Sequence, residues 1–442
     1  MDKQSHTPDQ RQLTVFFSAG EPSGDLHGAN LIRELRSQCD NFQAVGYGGP
    51  QMAAAGCKLH ADLTALAVMW FARALLNIHK FWNLAGLADR YFRHHRPDAV
   101  VLIDYPGFNW WIARRAKAHG IPVFYYCPPQ IWAWASWRVK KMRRFVDHVL
   151  CSLPFEKKWF TDRGCNATFV GHPFFDEVNR LANDENFMRE QRSKGGPLVT
   201  ILPGSRTQEV THNLAWFLKA ASLVAERVPN VRFAVAAFRP HQAEIARQEI
   251  ARQEISRQET DKNRLPVEVH VGRTPELMQL ADCCMACSGS VSLELLYHKK
   301  PTVILYWITP FAYFVQKFFR HSRYITLVNM LTSDNLFLSD GTTPEENRRE
   351  AEAAVFPEYL TSGDKSRQIA DNVIAWLSDQ ERRQSVEDEL AKIKDQVAHG
   401  GASRRTAQYI LETLKQRPPS ARRPHISVAT TRCDETLSKG NS

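Results

Sequence analysis

The sequence predicts an α/β protein of two domains, each a parallel sheet with helical crossovers. Three observations predict it. Apolar runs of strand length alternate with helix-like stretches almost throughout. The 442 residues exceed one ordinary domain and fit two of about 180–200 residues. A polar, charged stretch at 176–196 (DEVNRLANDENFMREQRSKGG) divides the run of strands in two and reads as an interdomain connection.

In chain order, 13–19 (LTVFFSA) reads as a buried strand, about 27–36 as a helix and 42–47 (FQAVGY) as the next strand. The continuous apolar run 99–103 (AVVLI) stops at Asp104. A helix near 109–119 and strands at 121–126 and 146–152 follow. After the connection, strand-like runs resume at 198–202, 231–237, 267–271 and 302–306. Two facing α/β domains leave a cleft outside the carboxyl ends of their strands, where open sheets bind ligands. Residues 246–260 (ARQEI, ARQEI, SRQET) repeat with a period of five and read as a lengthened surface helix. The Pro/Ser/Arg-rich tail from 416 has no apolar periodicity and reads as a disordered basic tail.

Hydrophobic residues are 43% and charged residues 24%, enough apolar content for sizeable cores. No apolar run approaches the length that spans a bilayer, and the polar N-terminus lacks a secretory h-region. Cytosolic residence is the default. The net charge of +10 suits nucleic acid, an anionic membrane or a phosphorylated substrate without choosing among them. Nine irregularly spaced cysteines do not suggest a disulfide framework. Cys283, Cys284 and Cys287 include a C-x-x-C spacing, but nothing nearby completes four zinc ligands.

Four loops are dense in chemistry. Residues 19–28 (AGEPSGDLHG) lie between the first strand and helix. Their glycines allow close approach, and Ser23 or Asp25 suits a helix cap. Asp104 ends an apolar strand at the expected cleft edge, where a raised pKa suits a general base; a turn-forming Asp before Pro106-Gly107 explains it as well. Gly204-Ser205-Arg206 leads into a helix whose free N–H groups, with the arginine fork, suit a diphosphate; an ordinary βα turn is the alternative, and no P-loop pattern is present. Ser288-Gly289-Ser290 precedes another helix, with Glu294 placed for vicinal hydroxyls; plain serine capping is the alternative. His172 reads as a structural or a cleft-facing histidine. Segments 69–82 and 307–324 mix aromatics with basic residues, as a membrane interface requires and as core helices also do. Nucleic-acid binding finds no recognised module.

Together these motifs resemble the lipid-A-disaccharide synthase family of inverting glycosyltransferases. The matching stretches are AGEPSGDLHGA (19–29), GYGGPQMAAAGC (46–57), AVM (67–69), IDYPGFN (103–109), PPQIWAW (128–134), LPFEKKWF (153–160), VGHPFFD (170–176), LPGSR-TQEV (202–210) and SGSVSLE (288–294), in family order over roughly 13–410. The resemblance implies a GT-B fold, two Rossmann-like domains facing across a cleft. Its implied boundaries are an acceptor- and lipid-binding domain over 12–180, a UDP-sugar-binding domain over 197–375, and C-terminal helices over 376–415 that pack back across the domains. It implies condensation of UDP-2,3-diacylglucosamine with 2,3-diacylglucosamine 1-phosphate (lipid X), without metal or cofactor. It also implies work at the cytoplasmic face of the inner membrane, on an anionic membrane surface and away from nucleic acid. A homodimer is an open alternative.

By the same resemblance Asp104 is the catalytic base. Glu21, Ser23, Gly24 and Asp25 form an acceptor-side loop. Gly204, Ser205, Arg206, Ser288, Gly289, Ser290, Glu294 and Asn329 hold the nucleotide-sugar, with Glu294 on the ribose. The chain departs from the family at Gly107, where a second acidic residue is usual, and at Thr361, where a Gln is common. Competing readings are another GT-B UDP-sugar transferase or an epimerase with a non-lipid substrate, and a non-catalytic sugar-nucleotide or membrane-binding protein.

Overall fold

A computed structural model describes residues 12–70, 78–178, 183–256, 264–319, 322–333, 336–338 and 343–417. The tail beyond 417, residues 71–77 of the first aromatic segment, residues 320–321 of the second and the end of the repeat (257–260) lie outside the described residues.

Strands β1 (Leu13–Ala19), β2 (Phe42–Gly48), β3 (Lys58–Asp62), β4 (Ala99–Ile103), β5 (Val123–Tyr126), β6 (His148–Cys151) and β7 (Ala167–Phe169) form one sheet in the order β3-β2-β1-β4-β5-β6-β7. Strands β8 (Leu198–Leu202), β9 (Arg232–Ala237), β10 (Val267–Val271), β11 (Cys283–Cys287), β12 (Thr302–Trp307) and β13 (Glu358–Thr361) form a second, in the order β10-β9-β8-β11-β12-β13. The described pairings within both are parallel. In each sheet the order reverses beside the first strand, between β1 and β4 and between β8 and β11. These are the switch points that favour ligand sites at the carboxyl ends.

The chain groups into two compact units. One comprises residues up to 126, 144–148 and from 404; the other comprises 127–143 and 149–403. In the second sheet, alternate residues bury toward opposite faces. Val199, Ile201, Met285 and Leu305 pack on the helices Thr207–Ala225 and Ser366–Ser378. Leu198, Leu202, Cys284 and Ile304 pack in a separate cluster with Leu390 and Ile393 of the helix Gln380–Val397. Burial on both faces is why these strands read as continuous apolar runs.

Some expectations differ from the structure. The first helix starts at Pro22, not His27, because proline at its first position presets φ. The supposed connection carries a helix, Glu185–Ser193, which packs on the helix Thr274–Leu280. Asp184 caps it by accepting the Asn186 and Phe187 N–H groups, both at 3.1 Å. Within the repeat, five residues advance a helix by about 140°. Ile250 is therefore buried while Ile255 is 79% exposed.

Candidate active site

Ala19 and Ile103 lie side by side at the ends of β1 and β4. The loops that follow bring Glu21 and Asp104 together. Asp104 and Tyr105 both adopt left-handed backbone, with φ of 43° and 47°. Such geometry costs a β-carbon residue of order 1–3 kcal/mol and persists only where neighbours enforce it. Here Asn109, fully buried in the helix Pro106–Ala118, enforces it. Its Nδ2 donates to the carbonyls of Asp104 at 2.7 Å and of Ile103 and Ser18 at 3.2 Å. Its Oδ1 accepts from Ser18 Oγ at 2.7 Å. The Tyr125 hydroxyl adds a second donor to the Asp104 carbonyl at 2.7 Å. Across the loop, the Tyr105 ring packs on Gly20 so closely that a β-carbon there would sit 2.3 Å from it. The two loops are thus one fitted unit.

Burial, and then the neighbouring Glu21 charge, push the Asp104 carboxyl up to about 6; the Tyr105 N–H pulls it back. A carboxylate so placed is basic enough to take a proton from an alcohol as its O–C bond forms.

The rest of the first loop divides. Gly24 is buried, and Ser23 is exposed in the first helical turn. Asp25 is buried and accepts the N–H groups of Gly49 (2.8 Å), Gln51 (2.9 Å) and Met52 (3.0 Å). The expectation that Ser23 or Asp25 caps its own helix is corrected: Glu21 holds that N-cap position without a side-chain bond, and Asp25 caps the next helix, Pro50–Ala54. Its carboxylate is engaged inside the protein.

In the second unit, β8 and β11 are neighbours, with Leu202 beside Ala286. The 203–206 and 288–290 loops therefore emerge side by side. Gly204 needs its lack of a side chain: φ is 129°, and a β-carbon would sit 2.4 Å from Glu209 Cβ. Glu209 Oε2 accepts the N–H groups of Ser205 (3.0 Å) and Arg206 (3.1 Å), and Oε1 pairs with the Arg206 guanidinium at 3.0 Å. This corrects the expectation of free N–H groups at Ser205 and Arg206. A glutamate at the third helical position completes a capping box and takes both. Arg206 keeps 68% of its side chain exposed. Buried Asn213 ties this loop to β12, donating to the Pro203 carbonyl and accepting the Trp307 N–H, both at 3.2 Å.

Ser288 donates its hydroxyl to the Ile325 carbonyl at 2.8 Å. Gly289 and Ser290 are exposed, and the space at Gly289 is open. Glu294, half-buried, has no hydrogen-bond or ion-pair partner for its carboxylate among the described residues, and burial pushes it up to about 7. Asn329 is tied into the protein on both sides of its amide. Fully buried, it donates to the Phe356 carbonyl (2.8 Å) and Glu358 Oε2 (3.0 Å) and accepts the Phe356 N–H (3.0 Å). Three of the four hydrogen bonds its amide can make are thus taken inside the protein, where they hold the 325–332 segment. Glu358, which the sequence reading passed over, accepts the Ile325 and Thr326 N–H groups at the start of that segment.

Three other motifs prove architectural. Glu156 accepts from Trp132 Nε1 at 3.1 Å and from the Ser152 and Leu153 N–H groups at 3.0 Å, joining PPQIWAW to LPFEKKWF. Asp176 accepts the N–H groups of Gly401, Ala402 and Ser403. His172 Nδ1 accepts the Phe174 N–H at 3.2 Å. Cys283, Cys284 and Cys287 are buried free thiols, and among the described residues no group of three or more His, Cys, Asp or Glu side chains is arranged for a metal ion. No described helix is long and apolar enough to cross a membrane.

Comparison with known proteins agrees with the fold and gives the family. In structure the chain is similar to a putative UDP-N-acetylglucosamine 2-epimerase from Listeria monocytogenes (TM-score 0.59, 10% identity, covering 92% of this chain and 98% of that one). It is also similar to the calicheamicin glycosyltransferase CalG4 (TM-score 0.54, 13% identity, 92% and 99%). At such identity the likeness establishes the fold alone, the GT-B arrangement of two parallel-sheet α/β halves. In sequence it is similar to lipid-A-disaccharide synthases of Coxiella burnetii (31% identity over 398 residues, 90% of this chain and 97% of the relative) and Trichlorobacter lovleyi (31% over 414 residues, 92% and 99%). The family model for lipid-A-disaccharide synthetase matches residues 15–398. The chain therefore belongs to the lipid-A-disaccharide synthase family of glycosyltransferases.

Proposed function

We propose that this chain transfers the glucosaminyl unit of UDP-2,3-diacylglucosamine to the 6-hydroxyl of lipid X, with inversion. The observation that carries the proposal is the Asp104 carboxyl, raised to about 6 and held on an enforced left-handed backbone in a chain of this family. The acceptor oxygen attacks the anomeric carbon as its proton passes to Asp104. The bond from that carbon to the diphosphate breaks, and UDP leaves with the electron pair. A β-1,6 linkage results.

Glu21 keeps the base from ionising too readily, and the exposed Ser23 with Gly24 borders the acceptor. On the donor side, Arg206 supplies a cation for the diphosphate. Ser290 and the open backbone at Gly289 accommodate its oxygens, with Ser288 fixing that loop. Glu294 accepts from the ribose hydroxyls. A carboxylate half-buried without a protein partner is suited to such a ligand.

We place the reaction at an anionic membrane surface, the cytoplasmic face of the inner membrane, where both lipid substrates reside. The net charge of +10 supports this. So does a solvent-facing pair in the first unit: Trp82 (53% exposed) and Trp111 (39%), ring centroids 4.7 Å apart, with Arg115 over Trp111. The scheme takes every group from one chain, so a homodimer is compatible with it but not required.

The test is UDP release from UDP-2,3-diacylglucosamine with lipid X, in detergent with chelator, for the wild type and Asp104→Ala. The expected result is chelator-resistant turnover that falls by at least about 100-fold in the variant while UDP binding persists. Full activity of the variant would remove Asp104 as the base. A wild type that binds UDP without turnover would exclude this acceptor.

A further inference from the structure

We propose that residues 131–143 form a docking surface for an anionic lipid bilayer, centred on Trp134, Trp137 and Arg138. This rests on the membrane reading above and names a second contact, in the other compact unit.

The segment has a fixed inner side. Ile131, Trp132, Ala135 and Met142 are buried. Trp132 is tied to Glu156 by its indole N–H and packs edge-on against Phe155 at 5.0 Å. What the segment turns outward is therefore set by the fold. It turns outward two large indoles, Trp134 at 46% and Trp137 at 60% exposure. The Arg138 guanidinium stands over both rings, 4.6 Å and 5.0 Å from their centroids.

Charge identifies the occupant. Residues 127–143 hold four cations, Arg138, Lys140, Lys141 and Arg143, and no carboxylate. Lys140, Lys141 and Arg143 are exposed, and none has an ion-pair partner among the described residues. Indoles settle at the boundary between headgroups and acyl chains, with cations meeting lipid phosphates just above. A nucleic acid would need open ring faces for stacking, and Arg138 already covers one face of each indole.

The experiment uses the full chain, sedimented with vesicles of phosphatidylcholine alone or of phosphatidylcholine with phosphatidylglycerol, at low and high salt. Near an anionic surface each cation is worth about fivefold in partitioning. Lys140→Glu/Lys141→Glu is expected to cut binding to the anionic vesicles by at least about 25-fold. Trp134→Ser/Trp137→Ser should lower it as well and reduce the blue shift of tryptophan fluorescence on binding. UDP affinity, measured in parallel, should be unchanged in both. Wild-type affinity for anionic vesicles in both variants overturns this surface alone, and loss of binding only on Trp82→Ser/Trp111→Ser does the same. A wild type that ignores anionic vesicles overturns this surface and the membrane reading together. Preference for a DNA duplex over vesicles also overturns it.

Discussion

Asn109 grips Asp104 by its carbonyl, through a 2.7 Å bond from Nδ2, while the Asp104 carboxylate receives the Tyr105 N–H. The amide thus fixes the backbone of the base without neutralising its charge. Asn109→Ala takes a donor from three carbonyls, those of Asp104, Ile103 and Ser18, and the acceptor from the Ser18 hydroxyl. The expected cost is about 1–3 kcal/mol of stability. Loss of the enforced left-handed turn should lower kcat by about 10- to 100-fold with little change in KM for the donor. Denaturant melts alongside steady-state kinetics check both. A variant that loses stability but keeps kcat would show that Tyr125 alone suffices.

Asp104 also predicts a pH profile. The base must be ionised, so kcat/KM should fall below about pH 6 along a limb of unit slope and level off above it. Stability should run the other way. The folded state holds this proton up to about 6, against an ordinary value of 3.8. More protons are bound in the folded state across that window, so stability falls as pH rises through it. Asp104→Asn should remove that decline while abolishing turnover. Thermal melts at pH 4 and pH 7 would show the variant gaining on the wild type only at the higher pH.

The fold was legible where burial is two-sided. The runs 13–19, 99–103 and 198–202 match β1, β4 and β8 because every strand residue but Leu13 faces a packed layer. β3, β7 and β13 lie at sheet edges, and β3 and β7 carry polar or half-exposed residues that resemble loop. β11 is central but is made of Cys, Met and Ala, which carry little strand signal. In the site, Asp104 stood out because a carboxylate ending an apolar strand is visible in one dimension. The capping of Pro50–Ala54 by Asp25 was not, since it depends on β1 and β2 being neighbours. Glu209 could have been found: a Glu three residues after the residue that precedes a helix is a capping signal. The internal ties of Asn329 were not visible either, because its partners, Phe356 and Glu358, are 27 and 29 residues away.

Gly107 offers a test of the chain's departure from its family. It is exposed in the first turn of Pro106–Ala118, and a β-carbon there meets nothing within 4 Å. Gly107→Asp therefore adds helix propensity and an acid at the positive end of the helix. The expected gain is about 0.5–1 kcal/mol of stability. A second carboxylate near Asp104 should also move the acid limb of kcat/KM to higher pH. Chemical denaturation and a pH–rate profile read the two effects separately. A destabilised variant would mean that the open space is needed by the loop itself.

Glu294 makes the donor half testable without turnover. Burial alone raises its carboxyl to about 7, so the group titrates in the accessible range. An ionised carboxylate accepts from both ribose hydroxyls, whereas the protonated form accepts less well and presents its own proton. UDP affinity should therefore strengthen as pH rises through 7. The weakening should reach about tenfold at pH 6 relative to pH 8 if only the ionised form binds. The diphosphate has its own titration, which Glu294→Gln separates out: it removes the carboxylate's share and leaves the ligand's. The variant should bind UDP about tenfold more weakly at pH 8 and show a flatter pH dependence. In turnover, KM for the donor should rise more than kcat falls, because the ribose contact is made in ground and transition states alike. Calorimetric titrations of both proteins across pH 6 to 8 decide it. Identical pH dependences would place the ribose elsewhere and leave Glu294 as a buried acid of the helix Val291–Tyr297.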